Sequence, residues 1–253
     1  IEPNIILRKI LKKNIKAKFY ADDSTLNDAF DITLITTPPS IHLQLLEKSV
    51  NRGDKKIFIE KPFGGYTNNT LNNISKYNAI HIGYVLRFNP CIQWIKMNIN
   101  PQEIKSIHGQ YLSNTIEKKP TGWRNGSFSG VLNEMGSHVI DLIQYIVGND
   151  QMDVLSSKKE SVVSDIDDIV EATLKTQSDI SVSLYFNWVK KEVRKPIFGI
   201  EIKMKDGFKY SIDQQQINKY NSIGEFTEKV AVTNLAKAVP FYLRGVDFTE
   251  QML

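Results

Sequence analysis

The stretch Ile32-Thr33-Leu34-Ile35-Thr36-Thr37-Pro38-Pro39-Ser40 decides the fold. Ile32 to Thr36 is a short apolar, β-branched run. The prolines end it, because each restricts the residue before it and Pro39 cannot donate to a ladder. Ser40 then caps a helix predicted from Ile41 to about Arg52 and closed by Gly53. Lys56 to Glu60 is a second apolar strand, stopped by Pro62 and Gly64-Gly65. A polar helix over Asn69 to Tyr77 and a strand over Ile80 to Leu86 follow. Upstream, Asn4 to Lys13 sets Ile6, Leu7, Ile10 and Leu11 on one helix face. Ala17 to Tyr20 reads as a short strand. Asp22-Asp23-Ser24 offers caps for a short helix over Thr25 to Phe30. Short apolar strands separated by helices mark parallel β-α-β units, with helices covering both faces. The first third is therefore an α/β doubly wound parallel sheet, and an incomplete one.

After about residue 87 the pattern changes. Pro90 to Ile99 reads as a helix, Ile104 to Leu112 as a strand, and Val131 to Val147 as a helix behind the loop Ser127 to Gly130. Strands follow one another over Glu160 to Val163, Ile169 to Thr176, Ile180 to Asn187, Ile197 to Met204 and Phe208 to Ile212. Asp206-Gly207 makes a hairpin of the last two. This is an α+β domain with an open mixed or antiparallel sheet. The division expected is residues 1–80 and residues 81–253.

Composition narrows the function classes. The chain has 253 residues, 41% of them hydrophobic and 24% charged, which excludes disorder, collagen and coiled coil. Lys and Arg number 32 against 28 Asp and Glu, a scattered net charge of +4 that does not point to nucleic acid. Cys91 is the one cysteine, which fits a reducing compartment, and the cytoplasm is the expected location. No stretch approaches the ~20 apolar residues of a membrane helix, so no membrane partner is expected. The chain starts at Ile1 and stops within what reads as the start of a helix. A segment of a longer protein is the expectation.

Four groups of residues carry chemistry. Glu60-Lys61-Pro62 lies at the carboxyl end of a buried strand, where doubly wound sheets bind ligands. A surface lysine in a turn explains those three residues equally well. Thr36-Thr37-Pro38-Pro39-Ser40-Ile41-His42 ends the preceding strand at the same edge, and turn chemistry alone accounts for it. The sharpest group is Gly130 to Asp141. Glu134 and His138 are four apart and His138 and Asp141 three apart, one polar stripe on an otherwise apolar helix. Such a stripe faces a cavity, a ligand or a polar partner, because burying it unpaired is costly. A histidine between carboxylates is a candidate acid or base, or part of a buried packing network. The fourth is Gly83 to Pro90, where Arg87 binds a substrate group or makes an interdomain salt bridge. Trp123-Arg124 lines a cleft or packs. His42, His81 and His108 lack ligand spacing, and no metal is expected. No Gly-x-Gly-x-x-Gly occurs in the 253 residues.

Thr37-Pro38-Pro39-x-x-His42, then Glu60-Lys61-Pro62, then Gly83-Tyr84-x-x-Arg87-Phe88-x-Pro90, then Gly130 to Gly136-Ser137-His138-x-x-Asp141 stand in one order. That order resembles the glucose–fructose oxidoreductase / inositol dehydrogenase family, Gfo/Idh/MocA. The resemblance implies an N-terminal Rossmann domain that binds NAD or NADP and a C-terminal domain whose open sheet makes homo-oligomer contacts. It implies hydride transfer between the nicotinamide and a sugar, polyol or nucleotide-sugar carbon. Lys61 and His138 become the catalytic pair. Glu134, supporting them, stands where the family usually has Asp. Glu2, Thr37, Pro38, His42, Glu60, Lys61 and Pro62 become cofactor contacts, and an acid at position 2 leans to NAD. Arg87, Trp123, Arg124 and Asp141 fall on the substrate side. The first strand and its glycine turn are expected upstream of Ile1, and Arg244 to Thr249 resembles a late helix. The alternative in this reading is a non-catalytic protein of the same fold that binds dinucleotide or sugar.

Overall fold

The computed structural model describes residues 1–2, 4–63, 80–126, 128–148 and 150–232. The helix expected over Asn69 to Tyr77 and the one resembling Arg244 to Thr249 lie outside these residues.

Helix α1 (Ile5–Asn14) begins where expected, because the Asn4 side chain accepts the N–H groups of Ile6 and Leu7. None of its residues is buried, and Ile6 is 68% exposed. The apolar stripe is real, but it faces outward. Residues 17–20 and 25–30 form neither strand nor helix. The Asp22 carboxylate takes the N–H of Ser24 at 2.9 Å, an aspartate turn that competes with regular structure.

Strands β1 (Ile32–Ile35), β2 (Lys56–Ile59) and β3 (Ile80–Ile82) pair in parallel in that order, with Ile35 beside Ile59 and Ile57 beside Ile80. A 3-10 turn over Pro39–Ile41 leads into α2 (His42–Arg52), and Gly53 closes it at φ 86°. Leu46 of α2 seats on Ile35, Ile57 and Ile59. On the other face Ile32 and Leu34 are about half exposed. Among the described residues, helix cover on both faces is therefore not found for β1. Strand β3 stops short of Leu86. Val85–Phe88 form a 3-10 turn instead, because Asn89 must cap α3 (Pro90–Asn98) through the N–H of Cys91 at 2.8 Å.

The second sheet has eight strands: β4 (Ile104–Leu112), β5 (Met152–Glu160), β6 (Ile169–Thr176), β7 (Ser181–Asn187), β8 (Ile197–Met204), β9 (Lys209–Ile212), β10 (Ile217–Tyr220) and β11 (Phe226–Lys229). Their order is β11-β10-β9-β8-β4-β7-β6-β5. All neighbours are antiparallel except β4 and β7, so the sheet is mixed and open. Strand β5 ends where one was expected to begin. Residues 162–164 instead wrap the Asp168 carboxylate, which accepts three consecutive N–H groups at 2.6–2.9 Å. Strands β10 and β11 escaped the sequence reading because each is four residues long, Ile-Asn-Lys-Tyr and Phe-Thr-Glu-Lys, too short and too polar to show alternation. One face of the sheet carries the core, where Ile107, Phe186 and Ile200 pack with Ile92 and Ile95 of α3 and with Leu142, Ile143 and Ile146 of α4 (Ser137–Val147). No helix among the described residues is long and apolar enough to cross a membrane.

The single helix expected over Val131 to Val147 is broken in register. Leu132–Gly136 is a π-helical turn, and α4 starts only at Ser137. Gly136 explains the local geometry, since a Cβ there would lie 2.6 Å from the Phe186 ring. Gly130 stands at φ 108° with the Asp167 carboxylate 2.5 Å from where its Cβ would be. That carboxylate caps the turn, accepting the N–H of Leu132 at 2.9 Å.

Candidate active site

The carboxyl ends of β1 and β2 meet the π turn and α4. Lys61 leaves β2 through Glu60, and its Nζ donates to the backbone carbonyl of Glu134 at 2.5 Å, 73 residues away. The Lys61–Pro62 peptide bond is cis. Burial lowers the Lys61 pKa below its usual value, opposed by Glu134 and Glu60. Glu60 receives the N–H of Lys61 at 3.2 Å, and burial raises its carboxyl.

His138 stands one residue into α4. Burial, and then the positive charge of Lys61, drive its pKa down to about 3, so the imidazole is neutral at ordinary pH. Its Nδ1 is sealed and has no hydrogen-bond partner among the described residues. The expectation that Glu134 or Asp141 orients this ring is corrected. The Glu134 carboxylate accepts the Ser129 hydroxyl and lies 3.5 Å from Arg124 Nε. The acid is thus turned toward Arg124 and Ser129, and it does not bond the sealed Nδ1 of His138.

Asp141 pairs with Arg87 instead. Arg87 Nε donates to Oδ2 at 2.8 Å and Nη2 to Oδ1 at 2.5 Å, a two-point bond across the two sheets. Arg87 therefore makes a salt bridge, but to a partner within residues 81–253 and not to the first domain. Burial raises the Asp141 carboxyl, and Arg87 pulls it back. The Tyr84 ring meets His138 edge-on at 6.1 Å. Burial, then Asp141, push its phenol up to about 12, so it remains protonated.

The remaining candidates divide. Thr37 Oγ1 is buried without a partner among the described residues, and Pro38 is exposed at the same edge. His42 is fully buried, and its Nε2 meets the Thr37 carbonyl at 2.7 Å. Its Nε2 ties it to that loop, and its Nδ1 is buried with no partner among the described residues. Pro62 follows Lys61 in the same loop. Trp123 and Arg124 sit on an exposed 3-10 turn, the guanidinium over the indole at 5.2 Å, and Arg124 reaches the site through Glu134. Glu2 lies apart, accepting the N–H of Asn4 at 2.8 Å. Sequence reasoning missed Ser129, Tyr84 and Asp167 as contributors. Serine in a loop before the helix, tyrosine inside a quoted motif and the Asp167-Asp168 pair were their signals.

Comparison with known proteins follows this geometry. Residues 101–207 match the GFO/IDH/MocA C-terminal domain. Oxidoreductase P35 of Formosa agariphila is 26% identical over 175 residues, 64% of this chain and 54% of that protein. The uncharacterized oxidoreductase YrbE of Bacillus subtilis is 25% identical over 128 residues, 49% of this chain and 37% of that protein. The chain thus spans about half or less of the length of these curated relatives. Levoglucosan dehydrogenase in complex with NADH superimposes with a TM-score of 0.76 at 18% identity, over 93% of this chain and 70% of that one. Residues 101–207 thus match the C-terminal domain of the Gfo/Idh/MocA family, and the chain is similar in sequence to oxidoreductases and in fold to levoglucosan dehydrogenase.

Proposed function

We propose that the complete protein is a nicotinamide-dependent oxidoreductase acting on a hydroxyl or keto carbon of a sugar, polyol or nucleotide sugar. Residues 1–80 would serve the cofactor and residues 81–253 the substrate. The observation that carries this reading is the partly buried Lys61 amine, held at the end of a parallel strand on the Glu134 carbonyl, near the half-buried, neutral His138 whose Nδ1 is sealed. Levoglucosan dehydrogenase, with the same fold, binds NADH, which supports a nicotinamide cofactor here.

The residues at the strand ends fit the nicotinamide half of such a cofactor. Thr37 Oγ1, His42 Nδ1 and His138 Nδ1 are buried polar atoms without partners among the described residues, and unsatisfied atoms of this kind favour a polar ligand nearby. Thr37, Pro38, Glu60, Lys61 and Pro62 would hold that half, and Glu2 the adenosine ribose. When bound, the cofactor supplies the hydride acceptor or donor.

The side chains then divide one oxygen between them. Lys61 donates to the substrate oxygen and stabilises negative charge as its proton leaves. Neutral His138 takes that proton in the oxidation direction. The Glu134 carbonyl steers the Lys61 amine, and Ser129 and Arg124 hold Glu134 in place. Trp123 and Arg124, exposed at the rim, would meet the sugar.

The test is turnover with NADH and NADPH by protein from the complete reading frame. Lys61→Ala should lower kcat by at least about a hundredfold, the usual scale for a positioned acid or base. Wild-type activity should fall as pH rises through the Lys61 pKa, which lies below 10.5. Protonation of His138 should leave no inflection near 6.5. Nucleotide binding without any turnover, or a Lys61→Ala variant as fast as wild type, would replace this reading with the binding-protein alternative.

A further inference from the structure

The Arg87–Asp141 bond joins two elements that each carry a part of the site. Asp141 is three residues beyond His138 on α4, about one turn, so anything that holds Asp141 holds the histidine's helix face. Arg87 closes the 3-10 turn that begins at Tyr84, its own N–H reaching the Tyr84 carbonyl at 3.2 Å. Gln93 of α3 braces that turn, donating to the Arg87 carbonyl at 2.6 Å. The Tyr145 ring lies under the guanidinium at 5.3 Å. Tyr84 touches both sides of the site, since its phenol interacts with the Phe63 amide just after Lys61-Pro62 while its ring edge meets His138. Nε and Nη2, one fork of the Arg87 guanidinium, are already committed to Asp141.

We propose that Arg87 and Asp141 form a positioning pair whose two-point bond locks the Tyr84 ring between the Lys61 loop and His138. Neither residue contacts substrate in this assignment, which rests on the reading of Lys61 and His138 given above. The pair borders a cavity of about 570 Å³, lined also by His81, Tyr84, Gln93 and Tyr145. Loss of the bond therefore opens a route for water from that cavity to the Tyr84–His138 contact. The charged and titratable groups around the imidazole are Lys61 from the end of β2, Tyr84 from the turn, and Glu134 and Asp141 on its own helical segment.

The test reads His138 itself. The histidine C–H resonances of the complete protein, with His138→Gln for assignment, give its titration midpoint without any turnover. Arg87→Met, Asp141→Leu and the double variant are compared, since an apolar pair in place of an ion pair leaves no charge buried alone. The double should raise the His138 midpoint by about one unit or more toward 6.5, as water reaches the ring. Arg87→Met should raise it further, because the lone Asp141 carboxylate favours imidazolium, and Asp141→Leu less, because the lone Arg87 cation opposes it, so the double lies between the singles. Unchanged midpoints in folded variants, or a double outside the range of the two singles, would overturn the proposal. If a single does not fold, Arg87→Lys, which keeps charge but loses the fork, should give an intermediate shift, and no shift there overturns it too. Failure of the oxidoreductase reading shows separately, in the kcat of Lys61→Ala.

Discussion

The two sheets are covered to very different depths. Helix α4 sinks Val139, Leu142 and Ile143 completely into the eight-stranded sheet, at 0% exposure. Helix α1 buries nothing, and beside it Ile32 and Leu34 of β1 stand about half exposed. His138 is thus mounted on the deep core and Lys61 on the thin one. The site's geometry is then set by the few bonds that cross between them. Lys61 reaches the Glu134 carbonyl, and Arg87 reaches Asp141. Motion of the thin sheet against the deep one would be felt first at the lysine.

Substitutions can break this contrast. Ile143→Ala empties the deep core and should cost about 2–5 kcal/mol in urea unfolding, the range for buried aliphatic truncations. Gly136→Ala forces a methyl against the Phe186 ring and should cost about 1–3 kcal/mol. It should also lower turnover, because the displaced π turn carries the carbonyl that steers Lys61.

Acid separates the two regions further. His138 has a folded-state pKa of about 3, below the 6.5 of the unfolded chain. The unfolded state takes the proton first, so stability falls as pH drops from about 6.5 toward 3. His138→Gln should flatten that part of the stability profile. Asp54, under the first sheet, is raised by burial but pulled down to about 2 by bonds from Arg52, Thr33 and the Phe30 amide. Its contribution is present above 3.8 and is lost as pH falls toward 2, so Asp54→Asn should remove only that lower loss. Leu34→Ala, on the exposed face of β1, should change stability by no more than about 0.5 kcal/mol. A cost equal to that of Ile143→Ala would show that this face is covered, and the contrast between the sheets would fail.

The lysine, the histidine and the motif order were legible because strand-ending prolines and helix-spaced polar residues are local signals. Their partners were not. Glu134 and His138 read as neighbours at the spacing of an α-helix, but the Glu134 carboxylate bonds Ser129 and Arg124. Gly130 and Gly136 stood in the motif, but their reasons, Asp167 and Phe186, lie 37 and 50 residues away. The strand expected over Glu160 to Val163 failed because its backbone N–H groups go to Asp168, a choice only the folded chain offers. Helix α1 shows the opposite error. Its periodicity was read correctly, but periodicity says which face is apolar and not what covers it.

The sequence by itself determined the alternation of strands and helices, the change to an open sheet and the strand ends that carry Thr37 and Lys61. Those features follow from proline, glycine and side-chain periodicity, which act within a few residues. Only the tertiary structure decided that Arg87 belongs to Asp141, that Glu134 belongs to Ser129 and Arg124, and that His138 is sealed and neutral. Partner choice and protonation depend on distance and solvent access between segments far apart in the chain, and packing alone sets both.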